Sequence, residues 1–179
     1  MKIVKGNTMS NVIWLTGISG AGKTTLGFLL KNELEKKYGN IEFIDGDTVR
    51  DFFENDLGYA RRDRILNVKR IAFAAMLVAK NGTNVIVANI APYYEVRDFI
   101  KKRIKNYIQI YVKASIEEVV KRDVKGHYKK YKDGTMNNLV GVDDNYDIPR
   151  SPDLIIDTEK ESVEESLTKI INFLEKREI

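Results

Sequence analysis

Hydrophobic positions recur along this chain in two rhythms. Five short apolar runs have the length and content of strands covered on both faces. They are Asn11-Val12-Ile13-Trp14-Leu15-Thr16, Ile41-Glu42-Phe43-Ile44-Asp45, Asn84-Val85-Ile86-Val87-Ala88-Asn89, Tyr107-Ile108-Gln109-Ile110-Tyr111-Val112 and Leu154-Ile155-Ile156-Asp157. Longer segments with helical spacing fill the gaps. The first spans residues 24–38, and the last places Val163, Leu167, Ile170, Ile171 and Leu174 on one face. Ser115-Ile116-Glu117-Glu118 and Ser162-Val163-Glu164-Glu165 both have the form of a capping box, in which Ser accepts an orphan amide and Glu reaches back. The Ala-rich run 71–79 predicts a buried helix packed on the sheet rather than a partner interface.

Strands alternating with helices imply parallel pairing through right-handed crossovers. The expected fold is therefore a three-layer α/β/α sandwich around a five-stranded, mainly parallel sheet. A single domain over 11–179 is expected, preceded by a short lead at 1–10 in which Met9 is an alternative start. Ligands of such folds bind beyond the carboxyl ends of the strands. That rule singles out Gly17 onward, Asp45 to Asp47, and Asn89 to Pro92.

Composition narrows the chemistry. The 179 residues contain no cysteine, which removes disulfide frameworks, thiolate metal sites and cysteine nucleophiles together and fits a cytoplasmic setting. No apolar run approaches the roughly 20 residues of a membrane span. The net charge of +4 is unevenly placed: from Pro152 onward there are eight acidic and four basic residues, so about +8 belongs to the rest of the chain. A polyanionic ligand and a merely solvated basic surface both account for that.

Gly17-Ile18-Ser19-Gly20-Ala21-Gly22-Lys23-Thr24 resolves much of the ambiguity, because it matches G-x-x-x-x-G-K-[ST] between a buried strand and a helix. Glycines let the backbone wrap phosphates with its amides turned inward, and a helix amino terminus adds a favourable field. The expected ATP-binding set is Gly17, Ser19, Gly20, Ala21, Gly22, Lys23, Thr24 and Thr25, with Lys23 at the terminal phosphates and the Thr24 hydroxyl on Mg²⁺. There is no Asn-Lys-x-Asp base reader of a GTPase. Asp123-Val124-Lys125-Gly126 has switch-like spacing but follows a helix in a basic stretch. A small-molecule kinase is the economical reading.

Asp45-Gly46-Asp47 sets two carboxylates beside this loop. Asp47 is the candidate for holding Mg²⁺ or accepting the proton of an attacking hydroxyl; a cap on the helix that follows is the plainer role. Read in order, Asp45-Gly46-Asp47-Thr48-Val49-Arg50, Asp56-Leu57-Gly58-Tyr59, Asp63-Arg64 with Asn67, Ile90-Ala91-Pro92, Lys125-Gly126-His127-Tyr128-Lys129-Lys130 and Gly141-Val142-Asp143 resemble the adenylylsulfate kinases. The resemblance runs from about Asn11 to Thr158.

It implies transfer of the ATP γ-phosphoryl group to the 3′-hydroxyl of adenylyl sulfate. Asp47 would lie near the hydroxyl and metal, with Arg50, Arg64 and Asn67 on the acceptor's phosphosulfate and ribose and Tyr59 on its base. Ile90, Ala91, Pro92, Lys125, Lys130 and Leu139 complete the implied acceptor set. A mobile lid would span about 122–147, opened by Arg122 facing the ATP. The implied partners are small nucleotides, with a homodimer allowed and neither membrane nor nucleic acid expected.

Two positions depart from the family. Ala91 stands where Ser is usual, which excludes a phosphoserine there. Leu139 stands where an aromatic residue helps to sandwich the acceptor adenine, leaving Tyr59 as the one aromatic face. A base stack is worth about 1–3 kcal/mol, part of which Leu recovers. The related cytidine diphosphoramidate kinases are therefore the alternative. An RNA-binding module is the alternative of another class, because 120–132 mixes six Lys or Arg with Tyr128 and Tyr131. His127 is expected to be a solvated lid residue, and Trp14 a core residue.

Overall fold

The computed structural model describes residues 10–178, so the expected lead at 1–10 lies, apart from Ser10, outside the described residues. Five strands form one sheet: β1 (Val12–Thr16), β2 (Ile41–Asp45), β3 (Asn84–Ala88), β4 (Tyr107–Lys113) and β5 (Leu154–Asp157), in the order β2-β3-β1-β4-β5. Every pairing is parallel. The helices are α1 (Lys23–Tyr38), α2 (Gly46–Phe52), α3 (Arg61–Lys80), α4 (Tyr94–Arg103), α5 (Ile116–Arg122), α6 (His127–Lys132) and α7 (Val163–Glu175).

The two faces of the sheet are written in the side-chain alternation of its strands. On β1, Ile13 and Leu15 join a core with Leu26 and Leu30 of α1 and Ile170 and Leu174 of α7. Val12 and Trp14 face the other way, against Val68, Ile71 and Ala75 of α3 and Val96 and Ile100 of α4. β3 divides likewise, with Ile86 in the first core and Val85 and Val87 in the second. Trp14 is fully buried and its indole N–H donates to the Asn89 carbonyl at 3.1 Å, so it is core, as expected.

Several local expectations change. The Ser162 box forms in both directions. At Ser115 only half of it forms: the hydroxyl accepts from Glu118 N at 3.2 Å, whereas the Glu118 carboxylate turns to Arg122 and the Ser115 N–H donates to Glu159. A basic residue four positions on competes for the Glu and wins. On α7, Ile170 and Leu174 are buried but Val163, in the first turn, is exposed. On α3, Ile71, Ala72, Ala75 and Ala79 are buried while Phe73 and Leu77 face outward.

Candidate active site

β1 delivers the chain to the phosphate-type loop with no slack. Gly17 lies so close to β4 that a Cβ there would sit 2.2 Å from the Val112 carbonyl oxygen, so no side chain is admissible. Gly22 adopts the left-handed conformation immediately before Lys23, the first residue of α1. The Lys23 ammonium folds back to donate to the Ile18 carbonyl at 2.7 Å. Burial, with the Lys125 charge nearby, lowers its pKa to about 7 against the opposing pull of Asp47 and Asp45. An anion beside this ammonium would favour its charged form.

The two carboxylates beyond β2 divide their work. Asp45 is the N-cap of α2, its Oδ1 accepting from Asp47 N at 2.8 Å, and its Oδ2 accepts from the Thr24 hydroxyl at 2.8 Å. The cap is therefore Asp45 and not Asp47, because α2 begins at Gly46, two residues before the Thr48 start that an Asp47 cap implies. A Cβ on Gly46 would fall 2.3 Å from Asn89 Nδ2, so the tight β2–α2 corner depends on glycine. Asp47, freed from capping, pairs with Lys125. Burial opposes its charge, but the Lys125 bond and charge, helped by His127 and Lys23, hold the carboxyl below the usual range.

Arg50 and Arg64 are both buried and embrace one ring. Arg50 lies 4.7 Å and Arg64 5.2 Å from the centre of Tyr59, which is 41% exposed. Arg50 donates to the Leu57 and Gly58 carbonyls, and Arg64 to the carbonyls of Tyr59 and Asn138, with Asp144 at 3.5 Å. Asp144 also accepts from the Tyr93 hydroxyl. Asn67, 3% exposed, has no partner for its side-chain oxygen. A buried acceptor left unpaired costs about 1–3 kcal/mol, and Asn67 is one of the residues that line the cleft.

One cleft gathers Ser19, Gly20, Gly22, Lys23, Thr24 and Thr25 with Asp47, Arg50, Tyr59, Arg64, Asn67, Ile90, Lys125 and Leu139. Some expected residues stand back from it. Gly17 and Ala21 are buried behind the loop, and Ala91 and Pro92 are buried beneath Ile90. Lys130 is exposed on α6 and does not line the cleft. Arg122 is also absent from the lining: it is held by Glu118 and by both oxygens of Thr158, whose hydroxyl also lies 3.2 Å from the Ala21 carbonyl. It braces the phosphate-type loop from behind.

The structure adds Asp45, Asn89, Met136, Val140 and His127 to the lining. Asp45 was legible in the Asp-Gly-Asp spacing; Met136 and Val140 carry no sequence signal that separates a cleft wall from core. His127 is not the solvated residue expected. It is half-buried, and its Nδ1 lies 3.1 Å from the Ser19 hydroxyl.

The remainder of 122–147 has its own order. Asp123 caps α6 by accepting from Tyr128 N and Lys129 N, which accounts for the switch-like Asp-x-x-Gly without any switch. Tyr128 is buried and donates to the Ser19 carbonyl at 3.0 Å, and Tyr131 packs on the same core. The aromatics of this basic stretch are thus turned inward, where they offer no stacking faces to RNA. Asp143 holds the Asn138 and Leu139 amides, so Leu139 is fixed at the cleft wall. Among the described residues no helix is long and apolar enough to cross a membrane.

Comparison with known proteins identifies the family. The family model described as adenylylsulphate kinase matches residues 9–157. The adenylyl-sulfate kinase of Rippkaea orientalis is 42% identical over 163 residues, covering 91% of this chain and 90% of that protein. The probable bifunctional SAT/APS kinase 2 of Sorangium cellulosum is 41% identical over 164 residues, covering 92% of this chain, which spans 28% of that longer protein. Among solved structures, the Mycobacterium tuberculosis APS kinase CysC in complex with AMPPNP and APS superposes with a TM-score of 0.87 at 30% identity. That superposition covers 93% of this chain and 98% of the other. With the family model matching residues 9–157 and relatives about 40% identical over nine-tenths of its length, the chain belongs to the adenylylsulphate kinase family.

Proposed function

We propose that this protein transfers the γ-phosphoryl group of ATP to the ribose 3′-hydroxyl of adenylyl sulfate, giving 3′-phosphoadenylyl sulfate and ADP. The observation that carries this reading is that one cleft joins the phosphate-type loop to Asp47, two buried arginines on Tyr59 and Asn67. The first group suits a nucleoside triphosphate. The second suits a second nucleotide with an anionic 5′ group.

In the step itself the 3′-oxygen attacks the γ-phosphorus, the bond from that phosphorus to the β–γ bridging oxygen breaks, and ADP leaves with that oxygen. Asp47 is positioned to accept the hydroxyl proton as its pair with Lys125 opens. Lys23, charged once phosphate is bound, offsets the charge on the transferring group. Arg50 and Arg64 hold the acceptor's phosphosulfate, Asn67 meets its ribose, and Tyr59 and Leu139 flank its base. The segment 122–147 acts as the lid.

Mg²⁺ fits the donor set. Thr24 Oγ1 lies 2.8 Å from Asp45 Oδ2 and Asp47 stands on the adjoining turn, all hard oxygen donors. Among the described residues no group of three or more His, Asp or Glu side chains is placed to hold an ion, so Thr24 and Asp47, with Asp45 beside them, would hold the metal together with the nucleotide phosphates. When bound it supplies charge neutralisation at the phosphates.

The deciding assay follows ADP release by purified protein with MgATP and, separately, adenylyl sulfate and cytidine diphosphoramidate. Turnover with the adenine acceptor and little with the cytidine compound is expected. The reverse preference would overturn the acceptor assignment.

A further inference from the structure

His127 is used by none of the chemistry above, yet it occupies the seam between donor and acceptor. It opens α6 in the lid, and its Nδ1 is 3.1 Å from the hydroxyl of Ser19 in the phosphate-type loop. The next residue, Tyr128, fastens the same loop residue through its carbonyl at 3.0 Å, so the approach of α6 to Ser19 is doubly fixed. The charges of Asp47 on α2 and of Lys125, Lys130 and Asp123 on its own segment all act on the ring. Ser19, Lys23, Asp47, Lys125 and His127 line one cleft. A group that touches the phosphate loop and shares its cleft with the hydroxyl-side carboxylate stands beside the path of the transferring phosphate.

We infer that His127 is a further nucleotide-binding residue, whose Nε2–H donates to a terminal-phosphate oxygen of ATP while Nδ1 accepts from Ser19. With Ser19 as the donor in that bond, the neutral ring carries its proton on Nε2. The bond therefore does two things: it seats the lid on the loop, and it aims the remaining donor at the phosphates. The inference rests on the kinase reading, but it concerns the ATP side alone and can be tested without any acceptor.

The test measures the dissociation constants of AMPPNP and ADP, each with Mg²⁺, for the wild type and for His127→Leu and His127→Asn. Asn keeps a partner near the Nδ1 position for Ser19 but offers nothing at Nε2. Both variants are expected to lose about ten-fold or more in AMPPNP affinity, as for a hydrogen bond to a charged group, and to bind ADP within two-fold of wild type. Equal losses for AMPPNP and ADP would reduce His127 to a structural latch. Wild-type AMPPNP affinity in His127→Asn would contradict the inference as well. A cycle with Ser19→Ala reads the coupling, and strictly additive effects would show that Ser19 does not orient the ring. Wild-type turnover of adenylyl sulfate reports separately on the proposed function.

Discussion

Lys125, on the segment that covers the cleft, reaches across it to the carboxylate of Asp47 on α2. Both side chains are substantially exposed, so the pair adds little to stability and is easily exchanged. In the proposed mechanism its consequence is kinetic: Lys125 holds Asp47 ionised until an acceptor hydroxyl takes its place. Asp47→Asn should lower kcat by about 100-fold or more while leaving the melting temperature near wild type. Because Lys125 keeps the carboxyl below its usual range, protonation of Asp47 should not limit activity of the free enzyme until well into the acid. A free-enzyme acid limb near neutrality that disappears in Asp47→Asn would contradict this role.

Lys23 predicts a proton balance. With its pKa near 7 in the free protein, it is mostly neutral at pH 8 and mostly charged at pH 6. Bound phosphates favour the charged form and raise the pKa, so MgATP binding should take up close to one proton at pH 8 and only about a tenth of one at pH 6. Calorimetry in buffers of different ionisation enthalpy reads this directly. Lys23→Ala should abolish the uptake and lower turnover by at least about 100-fold; near-normal turnover in that variant would overturn the phosphate-loop mechanism.

The Arg50–Tyr59–Arg64 cluster predicts a selective loss. Arg50 reaches two carbonyls and a ring at once, a geometry that lysine's single ammonium cannot reproduce. Arg50→Lys should raise the KM for adenylyl sulfate by about ten-fold or more and leave the KM for ATP within two-fold. Steady-state kinetics with each substrate varied in turn decides it, and a loss confined to ATP would misplace the acceptor site.

Gly46 tests the corner that sets the carboxylates. In Gly46→Ala the new Cβ meets Asn89, whose Oδ1 is already bonded to Ala91 N at 3.0 Å and whose carbonyl receives Trp14. Asn89 cannot move freely, so a stability loss of about 1–3 kcal/mol is expected by chemical denaturation. The single tryptophan, buried against Asn89, should report the change by fluorescence.

The strands were legible because parallel sheets bury both faces, and the resulting apolar runs mark each strand to within about a residue. The phosphate-type loop was legible because only glycine tolerates positions such as Gly17. Roles decided by competition between polar groups were less so. Asp45 rather than Asp47 caps α2, Glu118 prefers Arg122 to its own cap, and Arg122 braces Thr158 instead of lining the cleft. Each outcome depends on a partner that the one-dimensional pattern leaves open. His127 was misread for the same reason, since the partner that buries it lies 108 residues away in Ser19.

The most direct measurement of the central claim is the fate of the phosphorus atom. With MgATP and adenylyl sulfate, phosphorus NMR of the products should show a new monoester on the acceptor's 3′-oxygen, formed one for one with ADP. ADP accompanied by inorganic phosphate, with the acceptor unchanged, would contradict phosphoryl transfer to the 3′-hydroxyl.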